Sequence, residues 1–215
     1  MTRRLALAVA CVCATVALRG EPVQIDLEGF YGVPVSGTSE GSAVDPHLDY
    51  HLVSYYGGGI NLRWAAQFST LVSASSVEPG VRLTGRPEAG DFPYVGTVRT
   101  TPLAAILQWH PLGPGRIDPY VGAGAAWVLV SNADLLPVIS EVTNIVAVLF
   151  DDRVAFVAEA GARLNVLGGL GVLVDVRYMP LSFDATVQLS TAEFGVPIEV
   201  EANPFLFGFG LSFRF

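Results

Sequence analysis

Cysteine is almost absent from this sequence: there are two, Cys11 and Cys13, and both lie near the amino terminus. They belong to a segment with a short basic start and an apolar run at residues 5–18, which is the layout of a secretory signal peptide. We expect residues 1–20 to be removed and residues 21–215 to form one domain. The mature chain then has no disulfide and no thiol chemistry.

Basic residues are also scarce. The chain has 12 Lys and Arg against 20 Asp and Glu, a formal net charge of −8. Removal of the signal segment takes away three arginines and no acid, so the charge falls by three, from −8 to −11. So acidic a chain is a poor partner for nucleic acid. No phosphate loop, paired-cysteine zinc spacing or nucleotide fingerprint occurs, so we expect no cofactor and no metal site.

Long apolar runs are missing after the signal segment, although the mean hydropathy is +0.48. No uninterrupted stretch reaches the roughly 18 residues that a membrane helix needs. Helices and closed barrels are the only structures that satisfy backbone polar groups within lipid. Together with the signal and 23 glycines, the dispersed hydrophobicity therefore predicts a transmembrane β-barrel.

What the sequence does contain is alternation. In the last segment, Phe205, Phe207, Phe209 and Phe213 alternate with smaller or polar residues, which is the period of a strand with one lipid-facing side. Turn signals delimit eight such segments. These are residues 23–33, 50–64, 68–83, 98–110, 116–130, 153–165, 171–183 and 203–215. We therefore predict an all-β, eight-stranded antiparallel up-and-down transmembrane barrel.

The connections alternate in length. They are short near residues 66, 113 and 168 and long at 34–49, 84–97, 131–152 and 184–199. Since short turns face the periplasm in this class, both termini are expected to be periplasmic, and the location is the outer membrane of a Gram-negative-type bacterium. The long connection at 131–152 is too apolar for a solvated loop and has partly helical spacing, so we expect a lid over the mouth or a segment against lipid.

Strand parity assigns a set of charged residues to the barrel interior, near the periplasmic end. They are Asp26, Glu28, Arg63, Asp118, Glu159, Arg163, Asp175, Arg177 and Arg214. An unpaired buried charge is costly, so near-balanced numbers of acids and bases predict a mutually paired plug. An open ion path is therefore not expected.

Parity assigns apolar residues to the outer half of the interior. The candidate ligand-binding residues are Phe30, Val53, Tyr55, Val128, Val130, Val157, Met179, Leu181 and Leu206. Two interpretations stay open, because small barrels normally fill their own interiors with side chains. The residues either pack the barrel or line a pocket for a small hydrophobic molecule.

Several motifs between residues 101 and 215 resemble the OmpW-like family of eight-stranded outer-membrane proteins. The resemblance is carried by Pro102, Gln108-Trp109, Pro119-Tyr120-Val121-Gly122-Ala123-Gly124, Tyr178-Met179, Asn203-Pro204 and Phe213-Arg214-Phe215. It implies a narrow hydrophobic channel that passes small hydrophobic compounds, with sideways release between strands as one exit.

In outer-membrane barrels of this class, the aromatic residues at the C-terminus, here Phe213 and Phe215, are part of the assembly signal. The expected partners are outer-membrane lipid, a small hydrophobic ligand and the outer-membrane assembly machinery. The acidic bias and the apolar loop are departures, so the ligand's identity is not carried over.

Three other functions remain as alternatives. A structural or adhesive barrel would have a packed interior and use its long loops. A lipid-modifying enzyme would need a nucleophile and base converging near the outer rim, and the histidines available are His47, His51 and His110. A soluble lipocalin-like carrier would need no aromatic outer wall. We expect no catalytic residues.

Overall fold

The computed structural model describes residues 23–35, 47–84, 92–97, 99–130, 134–135, 145–189, 196–202 and 205–215. The predicted signal peptide lies outside these residues. Among them no helix has the length and apolar character to span a membrane. The described strands are β1 (Gln24–Val35), β2 (His47–Ala65), β3 (Phe68–Thr84), β4 (Phe92–Thr97), β5 (Thr100–Trp109), β6 (Ile117–Val130), β7 (Asp134–Leu135), β8 (Ile145–Phe150), β9 (Arg153–Leu167), β10 (Leu170–Tyr178), β11 (Leu181–Leu189), β12 (Val196–Ala202) and β13 (Phe205–Arg214).

Eight of these strands close into a barrel. The hydrogen-bonded order is β2, β1, β13, β10, β9, β6, β5 and β3, and β3 pairs again with β2. The first and last strands form the closing pair, antiparallel from Asp26 opposite Arg214 to Val35 opposite Phe205. The predicted eight-stranded antiparallel barrel is confirmed, and closure leaves none of these strands with an unpaired edge.

The two faces of the barrel strands differ as the alternation predicts. Along β13, Phe205, Phe207 and Phe209 are 47%, 40% and 56% exposed, whereas Leu206 is 2% exposed. Large apolar side chains are likewise exposed on β1, β5, β9 and β10. A belt of this size faces lipid, because soluble proteins rarely expose such contiguous apolar surface. The lipocalin-like alternative is therefore not supported.

Strand β10 ends earlier than predicted. It stops at Tyr178, and Leu181 begins β11, which pairs with β12 and β8 in a separate three-stranded sheet. Pro180 lies at the break and has no N–H to donate to a ladder. The predicted strand at 171–183 is therefore too long, and the predicted loop at 184–199 is wrong where β11 and β12 occupy it.

The long connection at 131–152 also differs from the expectation where it is described. Ile145–Phe150 is strand β8, paired with β11, and not part of a helical lid. Ile145, Val146 and Val148 are β-branched and favour an extended backbone. Residues 131–133 and 136–144 lie outside the described part. Within the predicted loop at 84–97, Phe92–Thr97 forms β4, which pairs with β3 and β7.

The barrel has two unlike ends. At one end, turns at residues 66–67, 110–116 and 168–169 join neighbouring strands, and β1 begins and β13 finishes there. Gly113, Gly168 and Gly169 have φ values of 68°, 55° and 90°, which favour glycine in these tight turns. We call this the short-turn end and the opposite one the long-connection end.

Candidate functional site: the barrel interior

A connected set of polar side chains crosses the barrel, and we call it the polar network. Its members are Asp26, Glu28, Asn61, Arg63, Ser69, Gln108, His110, Asp118, Glu159, Arg163, Asp175, Arg177 and Arg214. All are at most 6% exposed except Arg214, whose side chain is 24% exposed. Neighbouring charges of opposite sign offset the large cost of removing each charge from water.

Arg163 lies at the centre of the part of this network that is nearest the short-turn end. Its Nη1 lies 2.5 Å from Asp26 Oδ2, and its Nη2 donates to Glu28. Arg214 approaches the same Asp26 carboxylate, Nε to Oδ1, at 3.0 Å. Because β10 and β13 stand between β9 and β1 in the barrel wall, the Arg163 side chain bridges the lumen and does not merely link adjacent strands.

A second branch joins β2, β3, the turn after β5 and the start of β6. Arg63 donates to Asp118, and His110 Nδ1 lies 2.7 Å from Asp118 Oδ1. His110 Nε2 lies 2.8 Å from Ser69 Oγ. Serine, histidine and aspartate thus stand in the order of a catalytic triad, but near the short-turn end and not at the outer rim where a lipid-modifying site is expected.

The direction of the hydrogen bonds opposes catalysis at this triad. Gln108 Nε2 donates to Glu159 Oε2 at 3.3 Å, which leaves Gln108 Oε1 as an acceptor. Ser69 Oγ donates to that oxygen at 2.9 Å, so the serine oxygen is left to accept from His110. A nucleophilic serine needs the reverse, with its proton passed to the histidine. His110, Ser69 and Asp118 are also fully buried.

Two charged residues, Asp175 and Arg177, lie further from the short-turn end than predicted. Asp175 and Arg177 stand opposite Gly208 and Leu206, well above the turn at the start of β10. Arg177 Nη2 lies 3.3 Å from Glu159 Oε1, and its Nε lies 2.8 Å from Asp175 Oδ2. Their expected place at the short-turn end is wrong because the predicted strand at residues 171–183 runs past the true end of β10 at Tyr178. The upper limit of the polar network therefore meets the apolar interior.

Arg177 contacts the apolar interior through the aromatic rings of Phe30 and Tyr55. Its guanidinium carbon lies 4.4 Å from the ring centroid of Phe30 and 5.9 Å from that of Tyr55. The two rings stack, with centroids 5.1 Å apart and an interplanar angle of 25°. This cation–π arrangement lets a buried guanidinium stand among apolar groups.

Apolar side chains occupy most of the interior towards the long-connection end, and two of them, Leu71 and Leu173, stand opposite Asn61 and Arg163 of the polar network. One buried cluster contains Phe30, Tyr55, Val77, Leu173 and Leu206. The other contains Leu71, Ala104, Ile106, Ala126, Val128, Ala155, Val157 and Met179, with Val130 packed against it. Ala104, Ala126 and Ala155 stand side by side on β5, β6 and β9. This row of small side chains leaves room inside the wall.

A cavity of about 20 Å³ lies between the two clusters. This is enough space for about one water molecule. Its wall is made by Tyr55, Ser73, Ser75, Pro102, Ala104, Ile106, Ala126, Val157, Arg177, Met179 and Leu206. The lining is mainly apolar, and its polar members are Tyr55, Ser73, Ser75 and Arg177.

The predicted interior residues are placed as follows. Phe30, Tyr55, Val128, Val157, Met179 and Leu206 are buried inside, Val130 is partly buried, and all nine charged residues point inward. Leu181 belongs to β11 and not to a barrel strand, which corrects its assignment to the barrel wall. Val53 lies at a register shift between Leu52 and Ser54, and its side chain, like those of Leu181, His47 and His51, is outside the described part. The ligand-binding role of the set stays a prediction.

Sequence reasoning missed three large interior residues, Leu71, Ile106 and Leu173, each at most 1% exposed. Ile106 and Leu173 share parity with Gln108 and Asp175, so extending the alternation would have found them. Leu71 lies on β3, where small and apolar residues occur on both faces and the contrast is weak.

A closed eight-stranded barrel with a lipid-facing apolar belt and a side-chain-filled interior defines a small transmembrane β-barrel. Comparison with protein-family models matches residues 63–215 to the OmpW family. The chain belongs to the OmpW family, and it is an outer-membrane protein of Gram-negative bacteria. A search of curated proteins found no match.

Solved structures give the same fold. The outer membrane protein OprG from Pseudomonas aeruginosa has a TM-score of 0.70 at 18% identity, with 90% of this chain and 95% of that chain covered. The outer membrane protein AlkL, solved in DMPC lipid bilayers, has a TM-score of 0.61 at 21% identity, with 91% and 90% covered. At these identities the likeness concerns the fold alone.

Proposed function

We propose that this barrel admits small hydrophobic molecules through its long-connection end into the apolar interior, and that the polar network closes the path below. The observation that carries the proposal is the layering: a cavity and most members of two apolar clusters lie on the long-connection side of a network of paired charges. A hydrophobic molecule gains by leaving water for such a lining. The OmpW-family resemblance implies the same class of cargo.

The orientation in the membrane is part of the proposal. Short turns face the periplasm and long connections face outward in barrels of this class. The short-turn end, with the polar network, is then periplasmic, and a ligand reaches the apolar interior from outside. Since the present cavity holds about one water molecule, binding requires side chains such as Met179 and Leu206 to move. Methionine adapts readily to such changes.

Neighbouring alanines of β6 provide a matched test. Ala126 is fully buried and lines the cavity, whereas Ala125 is exposed on the outer face. Ala126→Leu should fill the cavity and lower uptake of a hydrophobic compound by cells that depend on the barrel, while Ala125→Leu leaves uptake unchanged. Heat-modified gel migration checks that both variants fold. Unchanged uptake by a folded Ala126→Leu barrel would contradict the proposal.

The small cavity volume favours a second candidate, a structural barrel with a packed interior. In that case neither alanine variant alters uptake, and deletion of the gene changes membrane integrity but not the supply of hydrophobic compounds. The same two variants therefore separate the candidates.

Catalysis is not part of the proposed function. The Ser69, His110 and Asp118 arrangement is enclosed by the polar network and has its serine proton directed towards Gln108. We assign these residues to closure of the barrel.

A further inference from the structure

The cavity contains a polar subsite within its apolar lining. Tyr55 is 1% exposed and lines the cavity; the Arg177 guanidinium interacts with its hydroxyl but cannot accept a hydrogen bond, and the Oη proton has no acceptor of normal geometry among the described residues. Its ring is held in place by stacking on Phe30. A buried hydroxyl without a partner is unfavourable, so this group requires a water or a ligand atom.

The other polar groups on the wall define what that ligand atom is. Ser73, Ser75 and Arg177 line the same cavity as Tyr55. The hydroxyls and the guanidinium can donate hydrogen bonds, whereas no carboxylate belongs to the lining. The subsite therefore matches a hydrogen-bond acceptor.

The charge of the surroundings selects a neutral acceptor. The single guanidinium of Arg177 already contacts Glu159 at 3.3 Å and Asp175 at 2.8 Å. A ligand carboxylate would bring a third negative charge to one cation, which nearby like charges oppose. A cationic head group would instead meet the guanidinium directly.

We propose that the interior binds neutral, oxygen-bearing hydrophobic molecules, such as ketones or alcohols, with the ligand oxygen accepting from Tyr55 Oη beside Arg177. This inference rests on the proposed function and names its ligand class. A water molecule fills the subsite when no ligand is present. A plain hydrocarbon that displaces this water leaves the Tyr55 hydroxyl without a partner, so it binds less well.

Methionine labelling gives a direct readout, because Met1 and Met179 are the only methionines in the sequence and Met179 lines the cavity. Protein with ¹³C-methyl methionine in lipid nanodiscs is titrated with 2-decanone, decane and decanoate at equal mole fractions in the lipid. The Met179 methyl shift should saturate at a roughly tenfold lower fraction of the ketone than of decane, the scale of one buried hydrogen bond. Decanoate should bind more weakly than the ketone.

Two tyrosine variants isolate the hydroxyl. Tyr55→Phe keeps the ring and removes Oη, and it should abolish the ketone preference by weakening ketone binding alone. Tyr56→Phe removes a hydroxyl from the exposed outer face of the same strand and should behave as the wild type. The comparison of the three probes on wild-type protein stands even if a variant fails to fold.

The outcomes separate this inference from the proposed function. If Met179 responds to all probes but the wild type does not favour the ketone, or Tyr55→Phe keeps that preference, the subsite holds water only and the inference is overturned. Tight binding of decanoate overturns it as well, since Arg177 would then recognise an anion. If no probe shifts Met179, hydrophobic binding in the interior fails too.

Discussion

Arg163 reaches across the lumen from β9 to Asp26 on β1, with Nη1 2.5 Å from Oδ2. The two residues are 137 positions apart in sequence. The same guanidinium donates to Glu28, so one cation ties two acids of β1 to β9, three strands away around the barrel wall. In the proposed function, this bridge closes the lumen on the short-turn side of the apolar interior.

Removing the cation should destabilise the barrel. Arg163→Met leaves Asp26 and Glu28 short of their main partner, and we expect a loss of about 3 kcal/mol in unfolding free energy, because the acids stay buried without their counter-charge. Urea titration of the folded fraction in lipid measures it. The triple variant Asp26→Asn, Glu28→Gln and Arg163→Met should recover most of the loss. Equal stability of Arg163→Met and wild type would contradict the bridge.

The bridge should also exclude ions. Wild-type protein in planar bilayers should show no steady ohmic current, since side chains fill the lumen. Shortening Arg63 and Arg163 to alanine together should produce a measurable conductance. Arg116→Ala, in an exposed turn, is the control. A wild-type pore current would show that the polar network does not close the barrel.

Two glycines of neighbouring strands should respond differently to a methyl group. A Cβ on Gly57 would lie 2.4 Å from the Ala74 carbonyl oxygen and 2.7 Å from the Phe30 ring, whereas a Cβ on Gly29 would meet nothing within 4 Å. Gly57→Ala should therefore lower stability by about 1–3 kcal/mol through overpacking. Gly29→Ala should be neutral or slightly stabilising because it restricts the unfolded chain. Similar unfolding midpoints for both variants would count against the packing around Phe30.

Ser69 should be chemically inert. Its hydroxyl is buried and donates to Gln108, so folded wild-type protein should not be labelled by a fluorophosphonate that reacts with activated serines. Ser69→Ala is the control for any residual signal. Labelling that disappears in Ser69→Ala would demonstrate an activated nucleophile and require an enzymatic function.

Strand alternation predicts which face a residue occupies but not its depth. The faces of Phe205, Leu206 and Phe207 follow from the two-residue period alone. Depth depends on where each strand ends and on its register with its neighbours, and register places Arg177 opposite Leu206, at the apolar boundary and not at the short-turn end. The contact of Arg177 with Phe30 joins non-adjacent strands, so no local pattern encodes it.

The separate three-stranded sheet of β8, β11 and β12 is also not predicted by the sequence, for a physical reason. Ile145–Phe150 is apolar on both faces, and neither its partner β11 nor the separate sheet can be read from local spacing. The terminal pair Phe213 and Phe215 is exposed on the outer face, with ring centroids 5.0 Å apart. Its part in assembly remains a prediction.

Magnetisation transfer between a bound ligand and Met179 tests most directly whether a hydrophobic molecule occupies the interior on the long-connection side of the polar network. Perdeuterated protein with a protonated Met179 methyl group is placed in deuterated lipid and given protonated decane. We expect a nuclear Overhauser effect from decane to Met179 that Ala126→Leu abolishes and Ala125→Leu keeps. Absence of the effect at Met179, with decane contacting only outward-facing residues such as Leu211 in a leucine-labelled sample, would contradict it.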